Sequence, residues 1–178
     1  MTGTTKWSID PMHSEVQFKI KHLVISTVTG SFKKFEGSIT TDGEDFTDAN
    51  VNFSMDVKSI DTNQPNRDEH LKSSDFFEAE TYPKITFHST SFVKSENDYK
   101  MLGNLTMKGI TKTVELDVEY GGSEKDGQGN LKHGFEVTGK INRKEFGMTY
   151  NAFTETGGLT LGEDIKLIAN IQVAKSAE

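Results

Sequence analysis

ANVNFSMDVKS, residues 49–59, alternates without a break: Ala49, Val51, Phe53, Met55 and Val57 on one phase, Asn50, Asn52, Ser54, Asp56 and Lys58 on the other. Successive side chains of an extended chain point to opposite faces, so this period of two describes a strand with one dry and one wet face. The pattern recurs. Val16, Phe18, Ile20 and His22 alternate with Glu15, Gln17, Lys19 and Lys21. Later apolar phases run through Tyr99, Met101, Gly103, Leu105 and Met107, then Val114, Leu116, Val118 and Tyr120. Two more run through His133, Phe135, Val137, Gly139 and Ile141, and Ile165, Leu167, Ala169, Ile171 and Val173. Weaker strands fit 28–41, with Phe35, Gly37 and Ile39, and 84–93, with Ile85 and Phe87.

About eight long strands of this kind must bury their dry faces. A sheet closed on itself does so and removes its edges; a two-sheet sandwich is the competing solution. The length and regularity of the strands favour the closed form. The expected fold is therefore all-β, an eight-stranded antiparallel barrel, with residues 1–178 as one domain. One segment departs from alternation. Asn66-Arg67-Asp68-Glu69 reads as a helix start with Asn66 as N-cap and Glu69 three residues on, and Asp75-Phe76-Phe77-Glu78 reads as a second. Pro65 and Pro83 flank the segment, so 61–83 is expected to be a long connection with a short helical insert.

In an up-and-down barrel the connections alternate between the two ends. One end collects the acidic hairpins DGEDFT, KSENDY and GGSEKDGQGN. The other collects 23–27, 61–83, 108–112 and 144–163, including the long MTYNAFTETGGLTLG loop. Loops longer than a hairpin needs are commonly lids or binding segments, which places the expected entrance at this second end.

Composition excludes several functions. The formal net charge is −7 with no basic run, a poor match to nucleic acid or to an anionic lipid surface. There are no cysteines, so disulfides, thiolate metal sites and thiol catalysis are out. No run approaches the ~20 apolar residues of a membrane span. MTGTTKWSIDP lacks a basic region followed by an apolar one, which is the expectation for a cytoplasmic protein without a leader. The five histidines, His13, His22, His70, His88 and His133, show no ligand spacing, and no metal or cofactor is expected. His13 and Ser14 are neighbours in sequence only. Nothing like GxSxG accompanies them, so no catalytic residue is assigned.

The inward phase comprises Phe18, Ile20, Phe35, Ile39, Val51, Phe53, Met55, Met101, Leu105, Phe135, Val137, Ile141, Leu167 and Ile171. These residues make either an ordinary core or the wall of a cavity, since a barrel of about eight strands can be filled or can hold one small ligand. Gly103, Gly139 and Ala169 on the same phase would leave room. His22 and Arg143 end their strands on the inward phase at the elaborated end. Arg143 either meets a polar head group or pairs with a carboxylate such as Asp68 or Glu145. Arg67 and His70 share a helix face with Asp68 nearby, a network suited to pinning the insert over the barrel mouth.

Four stretches together resemble the YceI-like family: WSIDPMHSEVQFKIKH with GSFKKFEG, KSIDTNQPNRDEHLKSSDFFEAETYPKITF, GNLTMKGITKTVEL, and GFEVTGKINRKEFGM. They span nearly the whole chain in order. Glu145 stands in RKEFG where the family commonly has Asp, which keeps the carboxylate. The resemblance implies a lipocalin-like barrel that binds an isoprenoid lipid, such as a polyprenyl phosphate or isoprenoid quinone, in an interior tunnel. It makes the inward-phase residues, with His22 and Arg143, the expected ligand-binding set. It also implies a homodimer, as in several members. Two alternatives stay open: an enzyme or accessory factor acting on such a lipid, and a structural barrel without ligand.

Overall fold

The computed structural model describes residues 4–22, 25–42, 45–149 and 161–175. Eleven strands form one antiparallel sheet. They are β1 (Thr4–Ile9), β2 (Glu15–His22), β3 (Ser26–Phe32), β4 (Phe35–Asp42), β5 (Asp45–Asp56), β6 (Ile60–Asp61), β7 (Lys84–Ser95), β8 (Asp98–Met107), β9 (Ile110–Lys125), β10 (Leu131–Asn142) and β11 (Leu161–Lys175). The order β1-β4-β5-β7-β8-β9-β10-β11 closes on itself through β1–β11, a ring of eight strands. The expected barrel is thus the fold.

Closure involves a strand that alternation did not reveal. β1 pairs with β4 on one side, Trp7 opposite Ile39, and with β11 on the other, Ile9 opposite Val173. Its short run gives only Trp7 and Ile9 as large apolar residues, too few to establish a period. β2 pairs with an earlier stretch of the same β11, Phe18 opposite Leu167. β1 and β2 are therefore two reaches of one path along β11, interrupted by a 3-10 turn at Pro11–His13. The expected strand over 28–41 is likewise two, β3 and β4, parted at Lys33 and Lys34.

The interruption after β1 is held by charge and hydrogen bonds. The Asp10 amide donates to the Gln172 carbonyl at 2.8 Å, and the Gln172 amide donates to Ser14 Oγ at 2.9 Å. Asp10 caps the turn through the Met12 amide and receives Lys132 Nζ at 2.7 Å and His13 Nδ1 at 2.8 Å. Ser14 Oγ is thus committed to β11 and His13 to Asp10, and the two do not form a nucleophile–base pair.

The insert is α1 (Pro65–Leu71) followed by turns rather than a second helix over 75–78. Its N-cap is Gln64, not Asn66: the Gln64 side chain accepts the Arg67 amide at 2.7 Å, and Pro65 takes the first helical position, where no amide is needed. Asp68 accepts both the amide and the hydroxyl of buried Thr62, at 2.9 and 2.5 Å. Arg67 donates to the Thr62 hydroxyl and carbonyl at 2.8 and 2.6 Å. His70 pairs with Asp75 at 2.9 Å. The expected pinning network exists, but it grips the end of β6 through Thr62.

Lys132 and His13 hold the Asp10 carboxyl well below the usual carboxylate range. The folded chain therefore loses this proton more readily than the unfolded chain. The resulting stabilisation is complete above about pH 5 and is lost as pH falls through about 4 and below. Unfolding free energies of the wild type and Asp10→Asn, compared by denaturant titration, should differ by a constant gap between neutral pH and about 5 and converge below about 4.

Candidate functional site

The inward phases converge on one cavity of about 140 Å³ with a largely apolar wall. An apolar cavity of roughly 150 Å³ accepts a single benzene ring, which sets the scale. Ten of the expected wall residues border it: Ile39, Val51, Phe53, Met55, Met101, Leu105, Phe135, Val137, Leu167 and Ile171. Its wall also includes Ile9, Val16, Gln17, Phe87, Phe92, Val114, Leu116, Val118, Ile168 and Ala169. Most of these were visible as dry-face residues. Ile9 belongs to the unrecognised β1, and Phe92 turns inward because the β7–β8 register shifts between Ser89 and Ser91. Phe53, Met55, Val137, Leu167 and Ala169 are only half-buried although they face inward, because part of their surface borders this space.

The cavity is far smaller in volume than a barrel-length tunnel would be, and aromatic side chains pack at both ends of the barrel. At the hairpin end Trp7, Phe46, His133, Tyr120 and Phe135 form a cluster, with Phe46 and Phe135 centroids 5.0 Å apart. Trp7 Nε1 donates to Thr41 Oγ1 at 3.0 Å, and the Tyr120 hydroxyl meets His133 Nδ1 at 2.7 Å, so these four polar atoms are paired away from water. At the insert end Phe18 packs on Phe32 at 5.7 Å, and Phe32 on Phe77 at 6.0 Å. Phe76, Phe77, Ala79, Phe146 and Met148 are buried there. Lys108 Nζ reaches the carbonyls of Ser74 at 2.8 Å and Gly147 at 3.5 Å, joining three connections into one lid. Among the described residues, these side chains pack across the end expected to be the entrance.

Phe18, Ile20, Phe35 and Ile141 do not border the cavity. Phe18 packs against Phe32 beneath the lid, Phe35 lies against Phe53 at 5.9 Å, Ile20 borders a groove on the outer wall, and Ile141 is buried at the end of β10. The room expected above Gly103 and Gly139 is taken: a Cβ on either would overlap Phe87 or Leu116. The side chain of His22 and residues 150–160 of the expected 144–163 loop lie outside the described residues.

Arg143 pairs with neither Asp68 nor Glu145. It begins a 3-10 turn, Arg143–Phe146, that ends at Gly147 in the left-handed conformation, φ 77°. Its Nε donates to the Gly162 carbonyl at 2.8 Å and its Nη1 to the Met148 carbonyl at 2.7 Å. Asp68 is instead committed to Thr62. Arg143 is 1% exposed, and burial pushes its guanidinium pKa down. The side chain clamps the turn after β10 to the start of β11. No sequence pattern betrays backbone carbonyls as partners. Of the other histidines, His88 meets the Asn52 side chain on the outer wall.

The YceI-like domain family matches residues 7–173. A UPF0312 protein of Staphylococcus epidermidis is 40% identical over 169 residues, covering 94% of this chain and 96% of that one. A UPF0312 protein of Staphylococcus aureus is 40% identical over 173 residues, covering 97% and 99%. Among solved structures, the YCEI protein of Campylobacter jejuni is 36% identical with a TM-score of 0.75, covering 90% of this chain and 91% of that one. A polyisoprenoid binding domain from Saccharophagus degradans, implicated in plant cell wall breakdown, has a TM-score of 0.65 at 16% identity, covering 96% and 98%. That last likeness is one of fold. No helix among the described residues is long and apolar enough to cross a membrane.

Replacing Arg143 removes, among the described residues, its charge-assisted hydrogen bonds to the Gly162 and Met148 carbonyls at a buried site. Arg143→Met should lower the unfolding free energy by about 3 kcal/mol. Arg143→Lys should recover only part of it, because one ammonium cannot reproduce the fork. Denaturant unfolding of both variants measures this.

Proposed function

The chain belongs to the YceI-like domain family, and on that premise we propose that it binds an isoprenoid-type lipid inside the barrel, as a carrier and not as a catalyst. The observation that carries the reading is the apolar cavity at the meeting point of the barrel's strands, where Gln17 is the one polar residue among the described residues that border it. Such a space rejects charged and strongly hydrated ligands, because burying an unpaired polar group is costly. It favours a branched hydrocarbon that fills it by contact. The ligand class comes from the sequence resemblance and from the domain of Saccharophagus degradans that shares the fold.

A chain of many isoprene units exceeds about 140 Å³, so occupancy requires the wall to give way. The half-buried residues identify where. Met55, Leu167 and Val137 already lack full packing, and unbranched Met adapts to irregular shapes at little cost. The lid of Phe76, Phe77, Phe146 and Met148 is built from connections rather than from the ring of strands, so it can move without breaking closure. Arg143 keeps its carbonyl partners in this reading and serves the lid, with the hydrocarbon part of the ligand beneath it.

The test is organic extraction of the purified protein with mass spectrometry of the extract. Wild type and Val137→Ala should carry an isoprenoid lipid in comparable amount. Val137→Asp should carry none, because a carboxylate would face the dry cavity, and Glu136→Gln, on the outer face of the same strand, should match wild type. An extract without isoprenoid from the wild type, or with undiminished isoprenoid from Val137→Asp, would overturn the proposal.

A further inference from the structure

Strand register assembles on the outer wall a feature that is dispersed in the sequence. Lys140 of β10 lies opposite Lys166 of β11, and Lys166 lies opposite Lys19 of β2. Three ammonium groups thus stand side by side across three strands spaced ~4.8 Å apart. Like charges directly opposite one another weaken a sheet. Lys21, two residues beyond Lys19 on the same face, continues the group. With Lys100 these lysines line a concave groove of about 900 Å³ that also contains Glu115, Asp117 and Asp164.

The acids neutralise only part of the groove. Glu115 and Asp117 are both bound to Lys100, at 3.2 and 2.9 Å, and Asp164 is bound to Lys140 at 3.3 Å. The ammonium groups of Lys19, Lys21 and Lys166 form no ion pair or hydrogen bond among the described residues. A second observation lies at the same end of the barrel. Ile25, in the turn between β2 and β3, is 87% exposed, four residues past Lys21. A large aliphatic side chain held in water beside unneutralised cations suits the boundary between lipid head groups and acyl chains.

We propose that this wall, with Ile25 at its rim, is the face by which the protein docks on an anionic phospholipid bilayer. Charge complementarity selects the partner. The lysines are spread in a row and do not converge on one point, and ammonium groups are hydrated point charges that suit a diffuse layer of phosphates better than a single bound anion. The remaining charge supports the orientation. Acidic residues gather at both ends of the barrel, Asp42, Asp98 and Asp126 at the hairpin end and Glu69, Asp75 and Glu80 in the insert, so in a chain of net charge −7 it is the side wall carrying Lys19, Lys21 and Lys166, and neither end, that is presented to the bilayer. Lys140 is three residues from Arg143, which places the lid beside the docked surface. Docking stands independently of what the barrel holds; if the barrel carries lipid, this is the face where exchange occurs.

Co-sedimentation with vesicles tests it. The full chain should bind vesicles containing one part phosphatidylglycerol to two of phosphatidylcholine at low salt, ignore pure phosphatidylcholine, and be released by about 0.5 M salt, where screening leaves little long-range attraction. The triple variant Lys19→Gln, Lys21→Gln, Lys166→Gln should lose about a hundredfold in partition coefficient. Ile25→Ser should lose several-fold. A charge-matched triple elsewhere, Lys6→Gln, Lys84→Gln, Lys94→Gln, should bind as wild type, with melting curves showing that every variant is folded. The proposal is overturned by equal binding to neutral vesicles, by no binding to either, by equal losses in the two triple variants, or by displacement with millimolar inorganic phosphate, which would mark a discrete anion site.

Discussion

β1 is a strand of six residues with a pairing partner on each side. Trp7, Ser8 and Ile9 pair with Lys175, Ala174 and Val173, while Thr4 to Ser8 pair with Asp42 to Ser38. Without that strand β4 and β11 would present open edges, and the interior would face water along the gap. Trp7 anchors the closure: it is fully buried, its indole N–H is satisfied by Thr41, and its ring abuts Phe46 and His133. The Asp10–Lys132 pair then fixes where this path along β11 breaks and resumes as β2. The apolar cavity, the lid above it and the register of the outer wall all presuppose a ring closed at this seam.

Alternation made most of this architecture readable. A period of two over many residues leaves one face that must be buried, and β5, β8, β9, β10 and β11 carry it clearly. Features that break the period were hidden. β1 is too short to show a phase, a register shift in β7 turns Phe92 inward, and the cap at Gln64 competes with the more conventional Asn66. Arg143 was visible as a charged residue at an inward position, but its partners are main-chain carbonyls, which no side-chain pattern announces. The wall of the cavity was legible to the extent that it coincides with the dry phase. The size of the cavity was not, because it depends on how Phe87, Leu116 and the lid aromatics fill space.

The lysine row shows the same limit from the other side. Composition argues against an anionic surface as partner, since the net charge is −7 and no basic run occurs. Lys19, Lys140 and Lys166 are far apart in sequence and alternate with apolar residues. Pairing across β10, β11 and β2 brings them together. Charge on a sheet protein is organised by register, and a sum over the chain conceals it.

The central claim is that an isoprenoid chain occupies the barrel interior by displacing its half-buried wall. Methyl-resolved NMR of lipid-stripped protein, titrated with an isoprenoid alcohol, tests it most directly. The account predicts saturable shifts at the methyls of Val51, Val114, Val137 and Leu167, which border the cavity, with Leu102 on the outer wall unmoved. Shifts confined to outer-wall methyls, or an interior unchanged at saturating ligand, would contradict it.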